Sequence, residues 1–572
     1  MLARLIRNRD VITDEEIDTY LNGTLDNLHD PEAMTDMVKA CFLIQQYVSE
    51  NKRFRIIGDY DVDGVCSTYV LVTALSACGA DVDYAIPHRI NDGYGINEHL
   101  IDVAHEDGID VIITCDNGIA AADQIRHAYD YGIHVIVTDH HEVPYDEDED
   151  TGERLELLPP AEAIVDPHRE DDEYPFKGIC GAVVAYKLSM VLMGMCGIPA
   201  DEMERMNDRL LQAAAFATVC DVMELVDENR IIVREGLGRI NSDPIPGLKA
   251  LIDAAGLGGK RIVARHFAFM LGPALNAAGR LDTATRSLEL LLGEDPDETA
   301  VIADELEGYN RTRQAMTTSG IERAKEDIDN SSLRNDKVLV LYLPDVHESV
   351  AGLIAGKIRE RYEKPAIVFT DASEGIKGSG RSIDAYDMYA ELNRFGYLFS
   401  KFGGHRMAAG ISMDADNLDE LRRGLNDNCT LSDEDMTTRT LIDLELPFNY
   451  VTEGFLHEMN RLEPFGVGNP APVFALRNLQ VRRVEIRGKR GNLFLITVSL
   501  PDDVNSRYEL KLFDNEGTFL DRLDEHYGQG TAGDVLEGNV GQVMMDVIYN
   551  PGINEYMGAR SLEYVVRDYR FK

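Results

Sequence analysis

Tryptophan is absent from the 572 residues, so the bulkiest aromatic packing element is missing from every core. The eight cysteines, at 41, 66, 78, 115, 180, 196, 220 and 429, include no CxxC pair, which argues against a zinc ribbon and against a disulfide framework. Reduced thiols in packing roles are expected. Cys66, Cys115 and Cys220 adjoin acidic motifs, but a soft thiolate suits a site of hard carboxylates poorly. No apolar run approaches the roughly 20 residues of a membrane helix, and the start, MLARLIRNRDVITDEE, has basic residues without an apolar h-region. A cytoplasmic chain with no membrane contact is expected. Basic residues are scarce: 56 Lys and Arg stand against 101 Asp and Glu, a net charge of −45. That balance counts against a nucleic-acid partner until local charge is considered. Acid is concentrated in DEDED (146–150) and EDDE (170–173), whereas VRRVEIRGKRGN (481–492) is a basic island.

What is present begins with three apolar runs that end in acid or acid plus histidine: FRIIGDYDVDG, DVIITCDNG and HVIVTDHH. Each reads as a buried strand followed by a helix, so their polar ends gather along one edge of a parallel sheet, where such sheets bind ligands. Strand and helix alternate from about Phe54 to Val165, an α/β pattern. Residues 181–220 read as two helices before the polar break at Asp221, and Pro296 to Asp329 as one long connecting helix. A second α/β pattern follows in KVLVLYLP, a helix from Ser349 to Tyr362, and PAIVFTD. From about Arg439 short alternating runs separated by Gly and Asn turns carry a β-barrel signature. The expected domains are 1–285, a connecting helix 286–335, 336–435 and 436–572.

In GDYDVDG the acids Asp59, Asp61 and Asp63 alternate, so on an extended strand all three point to one side. Carboxylates that close repel one another unless a cation lies among them. A DxD pair alone would be read as a solvated turn; Asp116, Asp139, His140 and His141 at the other strand ends favour metal. Mixed Asp and His ligands fit Mn²⁺ or Mg²⁺, and two ions are expected, with Asp63 the candidate bridge. His141, if not engaged by metal, is placed to contact a phosphate or move a proton.

At these residues the sequence resembles the DHH phosphoesterase superfamily, named for the motif present here as Asp139, His140 and His141. The stretches GDYDVDG, PHRINDGYGIN, TCDNGI, VTDHH, ATVCDVMEL, LNAAGRLD, GSGRS, FGGHRMAAG and EPFGVGNPAPVF occur in the order found in its single-strand-specific 5′ to 3′ DNA exonucleases, and they cover most of the chain. The resemblance implies a DHH domain, a DHH-associated domain and a C-terminal OB fold. It implies phosphodiester hydrolysis with two metal ions, in DNA repair and recombination. The implied metal ligands are Asp59, Asp61, Asp63, Asp116, His140 and Asp221. His141 would lie near the scissile phosphate, Asp139 would orient the histidines, and His405 would contact phosphate from the second domain.

The resemblance also implies a 5′-end pocket of Arg89, Arg280, Ser379 and Arg381, with Asn276, Gly403 and Gly404 among the DNA contacts. Arginine forks suit phosphate independently of any family. Asn310, Arg311 and Arg313 on the long helix are placed to track a strand backbone, as are Arg482, Arg483, Arg487, Lys489 and Arg490 in the barrel, where Phe494 reads equally as stacking or core. The implied partners are single-stranded DNA, a single-strand-binding protein and a RecQ-type helicase, and the chain is expected to be a monomer. Three departures stand out. Ile57 occupies a position where many superfamily members have histidine, the tryptophan that often precedes His347 is missing, and the loop PYDEDEDTGERLELLPP is acidic. A DHH phosphodiesterase acting on short oligonucleotides or cyclic dinucleotides would lack EPFGVGNP and the barrel, a family II pyrophosphatase is much shorter, and a non-catalytic scaffold would have lost ligands that are all present here.

Overall fold

Isoleucine- and valine-rich runs form five parallel strands, β1 (Arg53–Ile57), β2 (Asp81–Ala85), β3 (Val111–Cys115), β4 (His134–Thr138) and β5 (Ala163–Val165), in the spatial order β2-β1-β3-β4-β5. The computed structural model describes residues 1–89, 92–147, 154–437, 439–488, 491–514, 518–539, 543–556 and 559–572. β3 and β5 are wholly buried and β1 and β4 nearly so, which a parallel sheet requires when helices cover both faces. Ile56 pairs with Ile113 and Ile113 with Ile136, so the carboxyl ends of β1, β3 and β4 finish level. The covering helices include α1 (Val62–Ala77), α2 (Gly181–Met195) and α3 (Ala200–Cys220).

After α4 (Gly272–Leu281), the long helix α5 spans Pro296–Asp329, as its composition predicts. Asp295 caps it by accepting from the N–H groups of Asp297 and Glu298, and Pro296 starts it at a position where no N–H is needed. The next domain has β6 (Leu339–Tyr342), α6 (Glu348–Tyr362), β7 (Ala366–Asp371), β8 (Ile376–Arg381), β9 (Phe399–His405) and β10 (Ala408–Met413), in the order β9-β10-β8-β7-β6. Only β6 and β7 run parallel.

The final segment contains β11 (Phe474–Arg487), β12 (Leu493–Leu500), β13 (Asp503–Phe513), β14 (Met544–Tyr556) and β15 (Ala559–Phe571). Pairing runs β11-β12-β13-β15-β14 and returns to β11, so these five strands close into a barrel, with the short strand Leu444–Glu445 added beside the start of β11. Phe494 is 3% exposed, with its ring 5.3 Å from that of Phe519. It is core, and the stacking role is excluded.

By internal contacts the chain forms two compact units: Met1–Leu28, Glu224–Arg234 and Thr440–Lys572 in one, His29–Met223 and Glu235–Arg439 in the other. Leu5, Ile6 and Tyr20 of the N-terminal segment are buried in the barrel's own core. Arg230 lies 3.8 Å over the Tyr20 ring and donates to the carbonyls of Leu462 and Glu463, both at 2.9 Å. Burial lowers its pKa to about 10. All eight cysteines are free thiols, and among the described residues no helix is long and apolar enough to cross a membrane.

Candidate metal centre

The acids of GDYDVDG do not lie on an extended strand. β1 stops at Ile57, and Asp61 is the N-cap of α1, its Oδ1 accepting the N–H groups of Asp63 at 3.0 Å and Gly64 at 3.1 Å. The N-cap preference of aspartate has overridden strand alternation, so a turn and the first turn of α1 set the three carboxylates. Asp63 is held from across the site: its two oxygens accept Gly181 N–H at 2.7 Å and Ala182 N–H at 2.8 Å, the first amides of α2. A β-carbon on Gly181 would stand 2.8 Å from the Asp116 β-carbon, so glycine is what permits this approach.

Asp116 leaves β3 in the left-handed region, with φ of 60°, a conformation aspartate tolerates, and its N–H donates to the Thr138 carbonyl at 3.1 Å. Asp139, at the end of β4, accepts His140 N–H at 2.8 Å, Ile119 N–H at 3.0 Å and the Nδ1 proton of His141 at 2.7 Å. It therefore fixes the His141 ring, while of His140 it holds only the backbone N–H. His140 Nε2 stands 3.1 Å from Asp116, 3.5 Å from Asp63 and 3.8 Å from Asp221, the C-cap of α3.

Among the described residues three groups form whose ligand atoms lie within 4.8 Å of one another inside each group: Asp116, His140 and His141; Asp63, His140 and Asp221; Asp59, Asp61 and Asp116. All six metal ligands implied by the sequence, and His141, are brought together. Asp116 and His140 each belong to two groups, whereas Asp63, the bridge expected from sequence, belongs to one. Asp59 Oδ1 and His140 Nδ1 are buried without a hydrogen-bond partner, atoms whose desolvation calls for a further interaction. The donor set of hard oxygens and imidazole fits Mn²⁺ or Mg²⁺.

Electrostatics agree. Burial, and then Asp61, raise the Asp59 carboxyl to about 8; burial, then Asp63 and Asp61, raise Asp221 to about 8. Burial and the same neighbours hold Asp116 far above the ordinary carboxylate range. Asp139 behaves oppositely: burial works to raise it, but the His141 hydrogen bond and charge bring it below the ordinary range. Burial opposes charge on His141 as well, yet the hydrogen bond to Asp139 and the surrounding carboxylates raise it to about 9. Burial raises the Cys66 and Cys220 thiols well above their usual value, and neither joins a ligand group.

Three features are not anticipated by the sequence reading. Tyr94 donates its one hydroxyl proton to the Asp116 carbonyl at 2.9 Å while standing 3.1 Å from His141 Nε2, so its oxygen accepts from the imidazolium. It lies in PHRINDGYGIN, a stretch in which charge draws attention to Arg89 alone. The amides of Gly181 and Ala182 carry no side-chain signal. The fifth strand of the sheet, β5, also ends in acid: AIVDPH puts Asp166 fully buried beside His168, with Oδ2 unpartnered. Its three-residue run is too short to register, although the pattern is that of the other strands.

Arginines gather in the same unit. Arg89 lies 4.0 Å over the Tyr60 ring with Nε unpartnered, and Arg280 donates to the Ser349 carbonyl at 2.8 Å. Burial, then repulsion from Arg89, Arg313 and Arg381, lowers the Arg280 guanidinium to about 10. Arg381 donates to the Gly380 carbonyl and Arg313 to Asn310, each at 2.7–2.8 Å; Ser379 precedes Arg381 on β8, and Asn276 Oδ1 is buried without a partner. Among the described residues none of these four arginines forms an ion pair, although acids outnumber bases in the chain. Arg311 is exposed on α5.

Among the described residues none of the remaining expected residues joins a ligand group. His405 is exposed at the end of β9, where its Nδ1 accepts Met407 N–H at 3.3 Å; Gly403 and Gly404 pair with Gly410 and Ala409. In the barrel Arg483 and Arg487 both pair with Glu485, and Arg482 donates to Ser499 Oγ at 2.9 Å. Lys489 and Arg490 lie outside the described residues.

Three family models match: the DHH family N-terminal domain over residues 53–218, the DHHA1 domain over 335–430 and the RecJ OB domain over 442–568. The chain is 32% identical to the single-stranded-DNA-specific exonuclease RecJ of Bacillus subtilis (strain 168), over 99% of this chain and 67% of that one. Against the RecJ of Escherichia coli (strain K12) it is 35% identical, over 73% and 72%. The crystal structure of Thermus thermophilus RecJ in complex with Mn²⁺ superimposes with a TM-score of 0.77 at 26% identity, covering 100% of this chain and 75% of that one.

Proposed function

This chain belongs to the RecJ family of single-stranded-DNA-specific exonucleases, and on that premise we propose that it removes nucleotides from the 5′ end of single-stranded DNA, in repair and recombination. The observation that carries this reading is the joint presence, in one compact unit, of six convergent metal-ligand side chains and four arginines that form no ion pair among the described residues. Mn²⁺ or Mg²⁺ held by Asp59, Asp61, Asp63, Asp116, His140 and Asp221 supplies an activated water and charge stabilisation at a phosphodiester. The protein's own groups do the rest. Asp139 keeps His141 an imidazolium at neutral pH, and its Nε2 proton, which rests on the Tyr94 oxygen here, is the one a phosphate oxygen would accept in its place. Arg89, Arg280 and Arg381, with Ser379, bind the 5′ phosphate, for which guanidinium forks are suited. His405, Arg313, Asn276, Gly403 and Gly404 contact the strand, and Arg482, Arg483, Arg487, Lys489 and Arg490 attract its backbone to the barrel.

An enzyme confined to single strands needs a supplier of them, so a RecQ-type helicase and a single-strand-binding protein are its proposed partners and the cytoplasm its proposed location. The test uses purified protein with Mn²⁺ and a 5′-phosphorylated single strand labelled at its 3′ end. A progressively shortening ladder and an untouched duplex are expected; labelled mononucleotide released first would reverse the polarity and overturn the reading. Arg381→Ala should abolish preference for a 5′ phosphate over a 5′ hydroxyl, costing roughly 10- to 100-fold in kcat/KM on the phosphorylated strand, the worth of a bidentate charge-assisted contact. Tyr94→Phe removes the acceptor for the His141 Nε2 proton, and kcat should fall about five-fold in single-turnover assays while affinity for Mn²⁺ is kept.

A further inference from the structure

We infer that Phe269 is a base-stacking platform for the single strand, on the helical wall that leads to the arginine pocket; the inference rests on the exonuclease reading above. Ala264–His266, a π-helical turn at Phe267–Leu271 and α4 form one continuous rod. Its exposed or half-buried positions include 269, 273, 276 and 280, while 267, 271, 272, 274, 275 and 277–279 are buried. Spacings of three and four residues put Pro273, Asn276 and Arg280 on one stripe of α4, and Phe269 precedes that stripe in the π turn that continues the same rod. Phe269 lies about 16 Å from Arg280 along the rod at the usual rise per residue. The stripe therefore runs from the proposed 5′-phosphate pocket toward the interior of a bound strand.

Phe269 is 78% exposed, more than any other aromatic side chain among the described residues. Leaving that ring in water forgoes the gain of burying it, and it sits where the helix departs from α geometry. A π turn holds one residue more than an α turn and pushes residues 269 and 270 outward. The turn is anchored to the metal centre: Cys220, next to Asp221, donates to the Phe267 carbonyl at 3.7 Å, and a β-carbon on Gly272 would stand 2.5 Å from the Cys220 sulfur. Arg265, four residues before the ring on the same rod, is exposed in a chain of net charge −45. An exposed aromatic ring on a rod that carries arginines, continuous with a phosphate pocket, is the combination by which proteins hold single strands without sequence preference. A base has the flat face for the ring, and its phosphates have the charge for the arginines.

The experiment scans a single abasic site along a 5′-phosphorylated oligothymidylate, with wild type, Phe269→Ala and Phe269→Trp compared as full chains in Mn²⁺. Phe269→Ala should raise KM about ten-fold, the usual loss for one base–aromatic stack. Its Tm should stay at the wild-type value because the ring is exposed, and Phe269→Trp should restore KM. In wild type an abasic site at one inward position should impose a comparable penalty, and in Phe269→Ala that penalty should vanish, a coupling that a structural role would not produce. Wild-type KM in Phe269→Ala, or an abasic penalty that persists in it, overturns the inference. A wild type that leaves the strand intact overturns the exonuclease reading itself, and this inference with it.

Discussion

Asp116→Asn is expected to lower Mn²⁺-supported hydrolysis by at least about 10³-fold, the scale of charge stabilisation a metal supplies, while raising the Tm of the metal-free protein. The two effects have one cause. Asp116 is almost fully buried, belongs to two of the three ligand groups, and is held far from its ordinary ionisation by burial and by Asp63, Asp61, Asp139 and Asp59. Asparagine keeps the shape, tolerates the left-handed backbone at this position and still offers an oxygen to His140 Nε2, now 3.1 Å away. It cannot ionise, so it spares the metal-free fold the cost of keeping a buried proton and forfeits the anionic ligand that a cation needs. Thermal denaturation in chelator and in Mn²⁺, set beside single-strand hydrolysis, separates the outcomes. If metal-free stability fell together with activity, Asp116 would be a structural carboxylate and the centre would need another key ligand.

The same logic explains which parts of the centre are legible in the sequence. A five-residue strand rich in Ile and Val and followed by acid is conspicuous, so Asp59, Asp116 and Asp139 stand out together with the sheet edge that gathers them. The conformation of GDYDVDG is not legible, because an aspartate after a strand has two options, to continue the alternation or to cap the following helix, and capping satisfies two amides. Asp166 escapes because burial on both faces lets a three-residue strand suffice. Tyr94 and the amides of Gly181 and Ala182 escape because their roles arise only when distant segments meet. The barrel is legible from alternation, yet Phe494 stays ambiguous until its neighbour Phe519, which lies beyond the adjoining strands, is known. Local pattern reports elements and their polar ends; long-range contact decides what those ends do.

Stability of the metal-free protein should fall as pH rises from about 4 to about 8, and Mn²⁺ should reverse that trend. Asp59 and Asp221 ionise near 8 in the fold against an ordinary 3.8. Between those values the folded chain keeps protons that the unfolded chain has released, so unfolding is favoured by rising pH, and above about 8 the dependence from these groups ends. For Asp59 alone the shift corresponds to a ceiling on the order of 5 kcal/mol. His141 acts in the same direction: its charged contact with Asp139 is complete below 6.5 and is lost as pH passes about 9. Asp139, lowered by that contact, contributes stability that is present above the ordinary carboxylate value and disappears only as pH falls below it, outside this window. Saturating Mn²⁺ binds the ionised carboxylates, so its stabilisation grows as protons leave and the slope changes sign. Tm measured across this range in chelator and in Mn²⁺ should give curves that diverge toward high pH. Calorimetry of Mn²⁺ binding in two buffers of different ionisation enthalpy should report proton release near neutral pH. Parallel curves and no released proton would mean that the carboxylates are already ionised without metal, and that burial at this sheet edge is relieved by something other than the cation.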